Sequence, residues 1–270
     1  MLKNISLLIN KSKLIRQLIF NTAVNAGKGH VPPALSWVEL GVYLFYSKKF
    51  DFFSNNSNRD KFLLSKGHGC LTLYSILFDK SHIEKKDLIE FSGEGSLLPG
   101  HPDTKINKIE NCSGSLGHGV AIACGKALAL KLKKSKKKVV VLLGDGECQE
   151  GSIWESLIFA TQNKLDNLIV IIDYNKLGAT DYINQTGDLY PLKKKISSFG
   201  FDTISINGHS FDKINSAFLK IEKKNNKPKC IIANTLKGKG ISFMQNSKDW
   251  HHQMPKGSQI DKAKKELGLV

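Results

Sequence analysis

The chain of 270 residues is long enough to bury one large core, and its 41% apolar and 24% charged residues are ordinary for a globular domain. No apolar run reaches the roughly 18 residues that a membrane-crossing helix needs, which sets aside a helical membrane protein. Forty basic against 24 acidic residues give a net charge of +16, but the lysine runs, such as KLKKSKKK from Lys131 to Lys138, hold no arginine and no interleaved aromatics. That argues for a solvated lysine surface able to attract anionic ligands rather than for a nucleic-acid footprint.

The first stretch, MLKNISLLINKSKLIRQLIF, is broken by Lys and Arg and lacks a signal peptide's apolar segment and cleavage site. It reads as an amphipathic helix, with residues 10 to 30 helical and ending near Gly27, and His30 just beyond. In His30-Val31-Pro32-Pro33-Ala34 two prolines stiffen a loop. Ser36 is the expected N-cap of a second helix reaching about Tyr46, with Glu39 in the capping-box position. Asp60 to Leu64 reads as a short strand, followed by the turn Lys66-Gly67-His68-Gly69 and a helix from about Cys70 to Phe78. His82 reads as the solvated start of a polar helix.

Residues 92 to 115 are rich in Gly, Ser, Pro and Asn and carry no periodic pattern, as functional loops often do. Leu116 to Leu132 is an Ala-rich helix. Val139 to Leu143 (VVVLL) and Leu168 to Asp173 (LIVIID) are β-branched-rich runs suited to parallel strands buried on both faces. Glu150 to Leu165 between them has helical spacing, so the three make a right-handed βαβ unit. A second irregular stretch (176 to 191) precedes a helix over Pro191 to Ser198. Phe201 to Ile206 and Lys229 to Ala233 read as strands, with a helix at about Phe211 to Lys224 between them. The tail from Lys237 is rich in Gly and Lys and bears His251 and His252. With neither repeat nor linker, residues 1–270 read as a single α/β domain, a parallel β-sheet flanked by helices. Five scattered cysteines without a CxxC pair suit reduced thiols and a cytoplasmic setting.

Gly144-Asp145-Gly146 follows one strand run, and Asn175 follows the next. Both then lie at the carboxyl edge of one sheet, where open α/β sheets bind ligands. Asp145 offers a carboxylate oxygen and Asn175 a carbonyl oxygen, as a hard cation such as Mg²⁺ requires. Gly144 and Gly146 let a phosphate approach the backbone. A ligand-free turn is the simpler reading of GDG alone, and Asn175 at this spacing argues against it.

GDGECQEGSIWES continuing to IIDYNKLG resembles the thiamine diphosphate fingerprint of transketolases. In order along the chain, Gly29-His30, LSKGHG, PGHPD, GSLGHG and LKGKGISFMQN with Trp250-His251 agree with it, so the resemblance covers nearly the whole chain. It implies the thiamine diphosphate-binding fold. It also implies Asp145, Asn175 and the Leu177 carbonyl as ligands of Mg²⁺ (or Ca²⁺), and Gly144 and Gly146 at the diphosphate. Gly114, Ser115 and Leu116 would pack the cofactor, Leu116 beneath it, although Ser115 is equally readable as a helix N-cap. His68 and His251 are implied near the diphosphate and reacting centre, and His30 and His101 at the donor's hydroxyls. Histidine suits such work because it donates, accepts and shuttles protons near neutral pH. Glu150 is implied at an interface or in a proton relay. His118 stands where Gln is common, and His209 and His252 read as structural.

The same resemblance implies a division of labour. The glutamate and aromatic shelf that activate thiamine come from the following domain in transketolases, and this sequence ends at Val270. The expectation is a diphosphate- and metal-binding subunit that works with a separate C-terminal subunit in an α2β2 heterotetramer, moving a two-carbon ketol unit from a ketose or ketose phosphate to an aldose. The Val31–Ala34 run and Gly178 depart from the family pattern and point to an unusual sugar. The alternatives are a deoxyxylulose phosphate synthase-like enzyme, the E1 α subunit of a 2-oxo acid dehydrogenase, or a non-catalytic binding subunit.

Overall fold

The computed structural model describes residues 4–222 and 225–270. Five strands, β1 (Lys61–Leu64), β2 (Val139–Gly144), β3 (Leu168–Tyr174), β4 (Asp202–Asn207) and β5 (Lys229–Asn234), form one sheet in the order β1-β2-β3-β5-β4. Every pairing is parallel. The β-branched runs are the central strands, and their alternation splits the core in two. Val140, Leu142, Ile169, Ile171 and Ile231 face one layer. Val139, Val141, Leu143, Val170 and Ile232 face the other. Helices 5–26, 38–46, 70–79 and 211–221 cover the first face, and helices 119–132, 151–162 and 192–198 the second. The step from β4 back to β5 reverses direction, and its helix (Phe211–Ile221) accordingly lies on the opposite face from helices 151–162 and 192–198 of the two preceding crossovers, as right-handed connections demand.

Most of the expected elements stand within a few residues of their places. The first helix runs Ile5–Ala26 and stops at Gly27, whose φ of 65° is a left-handed cap. The Ala-rich helix begins later than expected, at Gly119. The helix expected to reach Lys224 is described to Ile221, and residues 223 and 224 lie outside the described residues.

Some expectations are corrected. Ser36 is not an N-cap: the helix runs Val38–Tyr46, and Ser36 Oγ sits between the Pro33 carbonyl (2.8 Å) and the Asp173 carboxylate. Glu39 forms no capping box; it pairs with Arg16 and His209 instead. Val31–Leu35 is not a stiffened loop but one helical turn, in which Pro32 and Pro33 fall where no intrahelical N–H is needed. Ser115 caps no helix; the N-cap position belongs to His118. His82 does not start a helix: the next one begins at Lys85, and the half-buried His82 ring packs on Phe53 at 4.3 Å. The tail holds a helix, Ser258–Leu267, that docks on the first helix through Gln17, whose Nε2 donates to the Leu267 and Gly268 carbonyls.

Candidate active site at the strand ends

Four neighbouring strands deliver chemistry to one place. β1 leads into Lys66 and His68, β2 into Asp145 to Glu147, β3 into Asn175 and Leu177, and β5 into Lys237. Together with His30, His101, Gly114, Leu116 and His251 they line a cavity of about 460 Å³. That volume suits a small-molecule ligand. The site that the resemblance implies is therefore brought together almost whole. Ser115 is the exception among the expected residues, being exposed and outside the lining.

The oxygen set is buried and poorly neutralised. Asp145 is 2% exposed, and its carboxylate accepts N–H bonds from Gly146 (2.8 Å) and Lys176. Burial and the nearby Asp173 carboxylate push its pKa up to about 7, beyond what the backbone donors can offset. A carboxylate so placed favours a bound cation. Asn175 Oδ1 accepts from Leu177 N (3.1 Å), which folds the Leu177 carbonyl segment beside Asp145. Oxygen donors of this kind fit a hard divalent ion.

Positive charge stands on the other side. Lys237 is 1% exposed, and among the described residues its amine meets only neutral groups: it donates to Gly178 O (2.6 Å) and Leu177 O (3.3 Å) and lies 2.7 Å from His251 Nδ1. Burial and then Lys66 lower its pKa to about 8. A buried ammonium without a carboxylate partner in a cavity is suited to an anion such as a diphosphate. Lys66 is different: it forms an ion pair with Asp173, both fully buried, and also donates to Pro33 O (3.0 Å). Thr235 and Ser36 satisfy the remaining Asp173 positions. Neither lysine stands out in the sequence, although both lie inside the motifs that carry the resemblance. Glu147 is a further residue that sequence reasoning misses. It takes Gly117 N (2.9 Å), Gly144 N (3.2 Å) and Ser65 Oγ, and so clamps the β2 turn to the loop that carries Leu116.

The histidines form a wall. The His30 ring lies 5.9 Å from His68 and from His101, and 5.5 Å from His251; His68 and His251 are 5.6 Å apart. Burial first, then neighbouring His252, His101 and Lys237, depress His30 to about 4. Burial, then Lys237 and His30, bring His251 to about 3. Burial and Lys66 hold His68 well below its ordinary value, and burial lowers His101. All four are neutral imidazoles at pH 7, able both to donate and to accept a hydrogen bond. His252, read as structural, joins this group: its ring is 4.3 Å from His30. His118 is exposed and stands apart from the cavity. His209 holds a structural place, with Nδ1 to Glu39 (2.9 Å) and Nε2 accepting from Leu236 N (2.8 Å). Glu150 lines the cavity, is exposed and precedes helix 151–162 as its N-cap residue.

Gly67, beside His68, is packed tightly against Ser113 and His101. A methyl group on Gly67 would stand 2.2 Å from the Ser113 carbonyl oxygen. Gly67→Ala is therefore expected to cost about 1–3 kcal/mol by overpacking. A thermal melt checks it, and an unchanged Tm would contradict the contact.

Comparison with known proteins fits this geometry. The family model described as "Transketolase, thiamine diphosphate binding domain" matches residues 9–270. The chain is 39% identical over 266 residues to an apulose-4-phosphate transketolase subunit from Actinobacillus succinogenes, covering 95% of this chain and 94% of that one. It is 36% identical over 246 residues to the 6-deoxy-6-sulfo-D-fructose transketolase subunit SqwG of Clostridium sp., covering 90% of each. The crystal structure of transketolase from Campylobacter jejuni superposes with a TM-score of 0.90 at 32% identity, over 98% of this chain but 43% of that one. The chain thus spans about two-fifths of that solved transketolase and nearly all of the two subunits.

Proposed function

The chain belongs to the transketolase thiamine diphosphate-binding family, and from that premise we propose that it is the diphosphate- and metal-holding subunit of a two-chain transketolase. The observation that carries this reading is one cavity with oxygen donors and an unpaired ammonium at its floor and four neutral imidazoles along its wall. Asp145, Asn175 and the Leu177 carbonyl are assigned to Mg²⁺, with Ca²⁺ the other hard ion the set accepts. Gly144, Gly146, His68 and His251 are assigned to the diphosphate, with Lys237 added to them. Gly114, Ser115 and Leu116 are assigned to packing of the cofactor, Ser115 through its place in that segment. When bound, thiamine diphosphate supplies the carbanion and electron sink of ketol transfer. The protein's own part is to hold hydroxyls and developing alkoxide charge. His30 and His101 meet the donor's hydroxyls, and His68 and His251 donate to the reacting oxygen and pass protons. Glu150, at the cavity rim, is assigned to the interface with the partner.

A partner chain is part of the proposal. Among the described residues the cavity lining holds no Phe, Tyr or Trp on which a pyrimidine ring could rest. The two subunit relatives have nearly this length. A separate C-terminal subunit would supply the aromatic shelf and the activating glutamate, in an α2β2 heterotetramer. The relatives' names, an apulose phosphate and a sulfofructose, support an anionic ketose donor outside common sugar metabolism. Five free thiols suit a reducing compartment, the cytoplasm. Among the described residues no helix is long and apolar enough to cross a membrane.

The test is reconstitution. This chain alone is expected to show no ketol transfer, and activity should appear when the partner chain is added with Mg²⁺ and thiamine diphosphate. Full activity of the isolated chain would refute the two-chain reading. Turnover of pyruvate but no ketose by the mixture would favour the other thiamine-dependent enzymes.

A further inference from the structure

The histidine cluster has one member that ketol transfer does not employ. His252 is exposed and outside the cavity lining, yet its ring is 4.3 Å from His30 and 4.7 Å from His251. One ring nitrogen from each of His30, His251 and His252 falls within 4.8 Å of the other two. We propose that these three imidazoles bind a borderline divalent transition-metal ion of the Zn²⁺ class at the exposed end of the cavity, separate from the oxygen site of Asp145 and Asn175.

The donor sets explain the separation. Imidazole nitrogens favour Zn²⁺, Ni²⁺ or Cu²⁺, whereas carboxylate and carbonyl oxygens favour Mg²⁺ and Ca²⁺. Three protein nitrogens around Zn²⁺ at about 2.0–2.1 Å each leave a fourth position open, with donors about 3.4 Å apart. Reaching that spacing asks for a shift of about 1 Å, which the exposed His252 side chain can supply by rotation. His251 is already oriented: its Nδ1 lies 3.2 Å from the Gly178 carbonyl. Donation of Nδ1–H to that carbonyl frees Nε2 for the ion, a common way for a ligating ring to be held. Lys237 then keeps the Leu177 and Gly178 carbonyls as acceptors.

Binding would occupy His30, assigned to the donor's hydroxyls, and His251, assigned to the diphosphate and the reacting oxygen. The consequence, which rests on the proposed function, is reversible inhibition of ketol transfer by Zn²⁺. The site itself does not depend on that function.

The experiment is titration of Zn²⁺ into the full chain against a chromophoric chelator, repeated with Co²⁺ for its visible absorption. The expected result is one tightly held equivalent that millimolar Mg²⁺ does not displace. His252→Ala should weaken it by at least roughly tenfold, and His118→Ala should leave it unchanged. Equal binding by His252→Ala, or no competition with the chelator by the wild type, would overturn the proposal. In the reconstituted pair, Zn²⁺ should raise KM for the ketose, and a chelator should reverse this. Stoichiometric, His252-dependent binding without inhibition would support the metal site and count against the sugar-facing role of His30 and His251.

Discussion

Asp145→Asn is expected to weaken binding of Mg²⁺ and thiamine diphosphate by at least about 100-fold, the loss of a direct ligand exceeding that of a supporting group. Calorimetric titration of this chain with its partner would measure it. The pH dependence provides a second reading. Burial and then the Asp173 carboxylate raise the Asp145 pKa to about 7. Protons therefore compete with the cation below that pH, and wild-type affinity should fall by up to about tenfold per unit as pH drops below 7. The variant has no carboxylate there, so its residual affinity should be flatter. Stability moves the other way. A carboxyl whose folded pKa is raised penalises the folded state as pH rises from its ordinary value toward 7. Without ligands, Asp145→Asn should melt higher than wild type at pH 8, and the advantage should vanish in acid. Equal affinity at all pH values in both proteins would remove Asp145 from the metal site.

Lys66→Met is expected to destabilise the fold strongly. Lys66 and Asp173 are buried to within 1% of full exclusion and held together by a direct ion pair. Burial opposes ionisation of Asp173, but Lys66, Ser36 and Thr235 outweigh it and keep the carboxyl below its usual range. Removing one partner strands the other charge at a cost of about 3–5 kcal/mol, which for a chain this size corresponds to a fall in Tm of roughly 10 °C. Because the folded pKa of Asp173 is lowered, the pair's contribution is present at neutral pH and lost as pH falls through that depressed value. Adding Asp173→Asn to Lys66→Met should restore most of the loss, since no unpaired charge remains. Denaturant melts of the two single variants and the double variant form the cycle. A double variant less stable than Lys66→Met alone would show that the cost is lost packing, not stranded charge.

What the amino-acid order discloses divides along physical lines. The strands are legible because VVVLL and LIVIID are buried on both faces and carry little but β-branched side chains and Leu. Asp145 and Asn175 follow, since their chemistry depends on position after a strand. Roles that depend on long-range partners are not legible. Ser36 has a good N-cap composition, but Asp173, 137 residues away, claims its hydroxyl. Lys66 and Lys237 look like other lysines in a lysine-rich chain until burial sets them apart. The turn at Val31–Leu35 is hidden by two prolines that usually mark loops. The helix Ser258–Leu267 does carry a signal: Ile260, Ala263 and Leu267 share one face at helical spacing, inside a stretch whose Gly and Lys content suggests an irregular tail.

The docking of that last helix has a consequence for how the chain acquires its structure. Gln17 bonds to Leu267, 250 residues later, and Arg16 to the Lys239 carbonyl, 223 residues later. The sheet pairs at similar remove, with β1 waiting for β2 across more than 70 residues. Contacts this distant in sequence slow folding, because loop closure must precede the burial that rewards it. On the ribosome the first helix emerges with an apolar face that nothing yet synthesised can fully cover. A nascent chain stalled before Lys239 can pack this helix on helices 38–46 and 70–79, but it lacks the Arg16 and Gln17 contacts, so the helix edge that bears those two residues should stay open to proteolysis until the later segments are made.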